Sequence, residues 1–201
     1  MSWKHRDYFN QLAPEWNDRM PDDPEFQEYL IDFGICPGDL VLDVGAGTGR
    51  MTKYLKAVVG KNGLVVAEDI AENMLFEGRK SIGNEKVLWL CDDATELAIK
   101  NQIFDKVLCF SAFPHFIDKI KSLKEIYRVL RPGGKLLILH VSSSEQLNQF
   151  HASLKTVVSN DVLPTKKMMM PLLQKVGFVD KKLIEKDDLY WIEVIKPFNS
   201  M

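Results

Sequence analysis

Between Val41 and Gly49 the chain reads VLDVGAGTG: an apolar run takes in an acidic residue and then breaks into glycines at alternate positions. Leu40 to Leu42 and Val44 have the bulk and β propensity of a buried strand. Gly45, Gly47 and Gly49 let the backbone turn with no Cβ standing between it and a ligand. Beyond them Met51, Tyr54, Leu55, Val58 and Val59 recur at helical spacing. The predicted unit is strand, glycine loop, helix, which points to an α/β fold with a nucleotide-binding turn. A purely structural glycine turn is the competing reading.

A dinucleotide-binding loop shares this layout, but its fingerprint is G-x-G-x-x-G, whose third glycine seats the helix behind a bound pyrophosphate. Here the spacing is G-x-G-x-G. Asp43 stands where a negative charge repels a pyrophosphate and attracts an ammonium or sulfonium group. The loop therefore favours S-adenosylmethionine over NAD.

Further strands follow in register. Leu64 to Ala67 closes on Glu68-Asp69, about twenty residues past the loop, where an acid can accept both hydroxyls of a ribose. Val87 to Cys91 runs into Asp92-Asp93-Ala94, and Phe104 to Phe110 makes a fourth strand. Lys135 to His140 makes a fifth, introduced by the turn Arg131-Pro132-Gly133-Gly134. Between the last two lies a helix whose Phe116, Ile120, Leu123, Tyr127 and Leu130 face inward, leaving Lys119, Lys121 and Lys124 as a solvated face. Strands alternating with helices predict a doubly wound parallel sheet.

These residues carry a family resemblance. VLDVGAGTGR, EDIAENML, CDDA, FDKVLCFSAFPHF and EIYRVLRPGGKLLI occur in the order and spacing of a class I S-adenosylmethionine-dependent methyltransferase, similar to the ubiquinone and menaquinone C-methyltransferases, over roughly residues 8–140. The resemblance implies a Rossmann-like seven-stranded sheet of order 3-2-1-4-5-7-6, with strand 7 antiparallel and helices on both faces. It also implies that Asp43, Gly45 and Gly47 hold the methionine end of the cofactor, Asp69 the ribose, Ile70 and Met74 the adenine face, and Asp93 with Ala94 the adenine edge. Asp69 is preferred to Glu68 because Ile70 to Leu75 then falls into the family's register. Ala46, Thr48, Gly49, Phe110, Ser111 and Trp16 complete the expected cofactor set, with S-adenosylhomocysteine as the product.

Composition suits one domain: 201 residues, 46% hydrophobic and 27% charged. Its expected parts are an N-terminal helical lid over residues 1–35, a cofactor core over 36–141, and substrate-side helices with a C-terminal hairpin over 142–201. No apolar run reaches membrane-spanning length, and Met1 to Arg6 leads into polar residues rather than a signal-type stretch, so a cytoplasmic location is expected. Cys36, Cys91 and Cys109 are expected as reduced thiols, with those in the strands buried. A net charge of −2 argues against a nucleic-acid surface, and no Asn-Pro-Pro-Tyr signature is present. A small-molecule acceptor and a monomer or homodimer are the expected partners.

Tyr8, Phe9 and Trp16 precede a helix at about Pro24 to Phe33 and suggest a lid whose aromatics face a sulfonium. Packing of the Phe9, Leu12, Ala13 and Trp16 stripe on the sheet is the equal alternative. After the fifth strand, Ser143 and Gln146 form a capping box opening a helix through about Val157, and Asp161 to Pro164 breaks it. Another helix is expected near Lys167 to Val176, with Pro171 tolerable only in the first turn. Phe178 to Glu185 and Leu189 to Lys196 read as a hairpin, and Met168 to Met170 as adaptable core.

The winding reverses between strands one and four, so ligands belong at their carboxyl ends. His115, His140 and His151 gather there from a loop, a strand end and a helix. They are the candidate catalytic set, with His115 as the base. Substrate binding, metal ligation and a purely structural role are alternatives, and the lack of nearby carboxylates disfavours a metal. Phe110, Phe113, Phe116 and Trp16 suggest an apolar or aromatic acceptor. The expected reaction is in-line methyl transfer; the rivals are a noncatalytic S-adenosylmethionine-binding protein, a nucleic-acid methyltransferase and an NAD-dependent oxidoreductase.

Overall fold

A computed structural model describes residues 3–19 and 23–198; the remaining residues of the expected lid and C-terminal segment lie outside the described residues. Seven strands form one sheet: β1 Leu40–Val44, β2 Leu64–Asp69, β3 Val87–Cys91, β4 Phe104–Phe110, β5 Leu130–His140, β6 Val179–Lys186 and β7 Leu189–Ile195. Their order is β3-β2-β1-β4-β5-β7-β6, as the resemblance implied. β1 to β5 pair in parallel, and β7 runs antiparallel between β5 and β6.

Apolar runs form strands here because the central ones are covered on both faces. Leu42, Val107, Ile138 and Ile192 face one apolar cluster, while Val41, Leu108, Leu137 and Trp191 face another. Helices α3 Glu25–Phe33 and α4 Thr52–Val59 cover the second face, where Leu30, Phe33, Leu55 and Val59 are fully buried. α6 Lys119–Val129 and α8 Lys166–Val176 cover the first through Leu123, Ile126, Met169 and Leu173. α5 Glu72–Ile82 follows β2, and α7 Ser144–Ser153 follows β5. At the N-terminus α1 Trp3–Leu12 leads through a 3-10 turn, Ala13–Glu15, into the short α2 Trp16–Arg19. No described helix is long and apolar enough to cross a membrane.

Several local expectations are corrected. The segment before Lys135 is an irregular start of β5, because Leu130 pairs with Phe104 and Gly133 takes φ +78 beside a register shift. Its amide donates to the Lys196 carbonyl at 2.8 Å, which ties the bend to the end of β7. α7 stops at Ser153, short of Val157, and a 3-10 turn, Val157–Asn160, follows. Pro171 lies inside α8 beyond its first turn. The helix tolerates it because Pro171 and Lys167, whose carbonyl loses its partner, are both exposed to water. Lys119 is not simply solvated: its Nζ donates to the carbonyls of Pro114 and Phe116 at 3.0 and 2.9 Å. Cys91 ends β3, at the sheet edge, and is exposed like Cys36, so Cys109 is the one buried thiol.

Glu185 of β6 joins two helix ends. Its carboxylate accepts from the Ser144 hydroxyl, from the Ser144 amide at 3.3 Å and from the Lys166 amide at 2.7 Å, the first residues of α7 and α8. Negative charge there complements both helix dipoles. Replacing Glu185 by Ala is expected to lower stability by about 1 to 3 kcal/mol. Chemical denaturation measures it, and an unchanged midpoint would remove the double cap from the stabilising contacts.

Candidate active site

The carboxyl ends of β1 and β4 border a cavity of about 520 Å³, within the size range of small-molecule sites. On one side stands the glycine loop. Gly45 has φ +69, and a Cβ there would lie 2.4 Å from the Ala112 Cβ, so only glycine lets β1 and the segment after β4 approach this closely. Gly47 has φ +57 and its outer face is open, with the Trp16 indole nitrogen 4.0 Å from where a Cβ would stand. Opposite, Ser111 holds φ +54, a conformation rare outside glycine, directly after β4 and on the cavity wall.

The acidic residues differ in their work. Asp43 is buried and accepts from the Thr52 hydroxyl at 2.6 Å. Burial pushes its pKa up to about 7, against the Thr52 hydrogen bond and with a smaller push from Asp69. A sulfonium or ammonium group beside it would restore the ionised form. Asp69 accepts from the Gly47 amide at 2.9 Å and the Ala71 amide at 2.8 Å, joining the two loops that frame the cavity. Burial raises its pKa as well, against those backbone bonds. Glu68 points to the Gly45 amide at 3.4 Å and does not line the cavity.

The N-terminal segment covers the cavity and packs as well, but against the start of α5 rather than on the sheet. Phe9, Leu12 and Trp16 pack around Ala13, Ala71 and Met74, and the same three side chains with Tyr8 form one wall of the cavity. α1 is fastened to α5: Arg6 donates twice to Glu72 at 2.8 Å, Asn10 donates to Glu72 at 2.9 Å, and the Asn73 amide donates to Asn10 at 2.9 Å. The Arg6 hydrogen bond, with that of Asn10, pulls the Glu72 pKa down to about 2.

Of the expected cofactor residues, Asp43, Gly45, Ala46, Gly47, Asp69 and Met74 border the cavity. So do Phe110, Ser111 and Trp16. The others lie off the wall. Thr48 donates to Asn17 at 2.6 Å, and a Cβ on Gly49 would lie 2.5 Å from Ile82, so both face neighbouring elements. The Ile70 carbonyl accepts from the Cys91 thiol, Asp93 accepts from the Thr95 amide at 2.8 Å within its own loop, and Ala94 joins the apolar core.

All three candidate catalytic histidines border the same cavity. His115 ends the 3-10 turn Phe113–His115, and its ring lies 5.2 Å from that of His151 on α7. His140 closes β5, is 2% exposed, and has an Nε2 with no hydrogen-bond partner. Two residues were missed. Asp161, expected only as part of a helix break, places its carboxylate 2.6 Å from Nδ1 of His115 and 3.0 Å from Nε2 of His5, and its carbonyl 2.8 Å from Nδ1 of His151. The expected lack of carboxylates near the histidines is thus corrected, because the chain folds back 46 residues beyond His115 to supply one. His5 was legible in part, since His5, Phe9 and Leu12 share a face of α1 at helical spacing. Among the described residues, no group of three or more His, Cys, Asp or Glu is arranged to hold a metal ion.

Burial, reinforced by the charges of His115 and His151, pushes the His140 pKa down to about 3. The unfolded chain returns it to about 6.5. Between these values the unfolded state binds a proton that the folded state refuses, so this contribution is complete above about pH 6.5 and is lost as the pH falls toward 3. Stability should decline through that window by up to about 1.4 kcal/mol per pH unit, and His140→Gln should flatten the decline. Denaturation midpoints across the window measure both; equal slopes in the two proteins would contradict it.

Comparison with known proteins gives a consistent picture. The model of the ubiE/COQ5 methyltransferase family matches residues 26–180. The chain is 41% identical over 117 residues to a ubiquinone/menaquinone biosynthesis C-methyltransferase of Hydrogenovibrio crunogenus, covering 56% of this chain and 46% of the relative. It is 39% identical over 110 residues to the protein of the same name in Wigglesworthia glossinidia brevipalpis, covering 53% and 44%. The matches thus span about half the length of these curated relatives. A crystal structure of an S-adenosylmethionine-dependent methyltransferase from Aquifex aeolicus shares the fold at a TM-score of 0.73 and 20% identity, covering 95% of this chain and 98% of the other.

Proposed function

Because the chain belongs to the ubiE/COQ5 methyltransferase family, we propose that it transfers a methyl group from S-adenosylmethionine to a small-molecule acceptor in the cavity described above. One observation carries the reading: a single cavity has the glycine loop and Asp69 in one wall and His115, His140 and His151 in another. Donor and acceptor sites are therefore continuous.

The residues present fit the donor. Asp43 offers a buried carboxylate for its cationic end, Asp69 an acceptor for ribose hydroxyls, and Met74 and Leu12 an apolar surface for the base. Bound there, S-adenosylmethionine supplies an electrophilic methyl whose bonding electrons stay on sulfur. The protein's own part is to align and dry the site. α1, Trp16 and Phe110 exclude water, and positioning of this kind supplies most of the acceleration when the chemistry needs little acid or base. His115 takes the acceptor's proton. His140, neutral through the physiological range, offers Nε2 as a hydrogen-bonding group for the acceptor.

The relatives' names make a carbon atom of a quinone-biosynthesis intermediate the first acceptor to try. We infer further that it acts in the cytoplasm, as monomer or homodimer, and a net charge of −2 supports a small molecule over a nucleic-acid substrate. Incubation with methyl-labelled S-adenosylmethionine, demethylated quinols and a metabolite extract, read by mass detection, tests it. A labelled small molecule is expected. Binding of S-adenosylmethionine without any labelled product would leave a noncatalytic binding protein instead, and no binding at all would overturn the reading.

A further inference from the structure

We propose that Asp161 is the positioning residue of this site: its carboxylate holds His115 in one tautomer, and His5 ties α1 to the same carboxylate, so that lid docking and base orientation occur together. The inference rests on the methyl-transfer reading and assigns the site residues that reading leaves unexplained.

The geometry is tight. Oδ2 of Asp161 lies 2.6 Å from Nδ1 of His115, and both carboxylate oxygens lie 3.0 Å from Nε2 of His5. An ionised carboxylate only accepts, so the ring nitrogens facing it carry the protons. In neutral His115 the lone pair then falls on Nε2, the nitrogen left to act as base. The acceptor's proton moves to that nitrogen, and the imidazolium so formed is opposed by Asp161, so charge balances within the pair. Phe9 of α1 adds an edge contact to the His115 ring at 5.0 Å between centroids. α1 is thereby held at two places, by Glu72 through Arg6 and by Asp161 through His5.

The surrounding charges agree. Burial favours the neutral form of Asp161, but hydrogen bonds from His115 and His5 outweigh it and keep the carboxyl below its ordinary range. His115 is driven down by burial above all; Asp161 opposes this, while His151 and His5 add to it. His140 faces the same group, and the Lys119 ammonium faces Asp161. Removing His5 therefore removes a lowering influence on His115 and leaves His115 as the one histidine bonded to the Asp161 carboxylate, which should raise the His115 midpoint. Removing the carboxylate charge should lower it.

The test is histidine NMR on the full chain without ligands, beside limited proteolysis of α1. His5→Leu is expected to move the His115 midpoint up and to speed cleavage within residues 3–19 by about tenfold. Asp161→Asn should move the midpoint down and abolish the single Nδ1–H tautomer, and with donor and acceptor present lower kcat about a hundredfold with little change in KM. The spectra also report folding; if Asp161→Asn does not fold, His5→Leu carries the test, because it leaves the carboxylate in place. An unmoved His115 midpoint in the variant that folds overturns the proposal, and unchanged cleavage in His5→Leu removes the lid from it. The midpoints and the cleavage rates need no turnover: the expected shifts without labelled product would sink the methyl-transfer reading alone, and unmoved midpoints with intact turnover would sink this one alone.

Discussion

His115→Asn should lower turnover by roughly a hundredfold or more while leaving affinity for S-adenosylmethionine nearly intact. The ring borders the cavity, and its basic nitrogen is the one not engaged by Asp161. Asn can still donate toward that carboxylate but cannot take a proton, so the substitution separates chemistry from packing. Burial keeps the His115 pKa below its ordinary value. The acid limb of the pH–rate profile should accordingly have its midpoint below about 6.5 in the parent enzyme and vanish in the variant. Steady-state rates with calorimetry of cofactor binding measure both quantities. A parent-like rate would transfer the base role to another cavity histidine.

Asp69→Ala should weaken binding of S-adenosylmethionine and S-adenosylhomocysteine by about 1.5 to 3 kcal/mol, roughly ten- to a hundredfold. Two losses coincide. The ribose loses a charge-assisted acceptor, and the Gly47 and Ala71 amides, which Asp69 engages at 2.9 and 2.8 Å, lose theirs. Glu68→Gln is the control, because Glu68 lies off the cavity wall and keeps an acceptor oxygen for the Gly45 amide. It should change affinity by no more than about threefold, under 1 kcal/mol. Calorimetry on the two variants decides between the adjacent acids: intact affinity in Asp69→Ala with a loss in Glu68→Gln would move the ribose contact to Glu68.

The choice of Asp69 over Glu68 shows how far local pattern reaches. Neighbours along a strand point to opposite faces. The family's register over Ile70 to Leu75 named Asp69, and this alternation is why Asp69 borders the cavity while Glu68 does not. Parallel strands were legible for a similar reason: covered on both faces, they read as unbroken apolar runs. Regions governed by a balance of weak terms were less legible. Pro171 sits beyond the first turn of α8 because exposure of the Lys167 carbonyl makes the lost hydrogen bond tolerable, and that exposure is set by packing elsewhere. Cys91 reads as a core thiol from its strand, yet β3 is a sheet edge and leaves it exposed.

The sequence by itself determined the glycine loop and its turn, because backbone freedom at Gly45 and Gly47 belongs to those residues and to no partner. It determined the strands, and with the family's motifs their order. It placed three histidines at one rim, since strand ends and the loops after them share an edge. Tertiary structure alone decided what those histidines are. His5 meets Asp161 across 156 residues and His115 meets it across 46, separations at which no periodicity carries information. Protonation was decided there too. A histidine titrates near neutrality in water, but the free energy of its charge depends on the solvent and partners that folding removes or supplies. So burial holds His140 neutral and lowers His115 too, where a carboxylate from a distant turn opposes it.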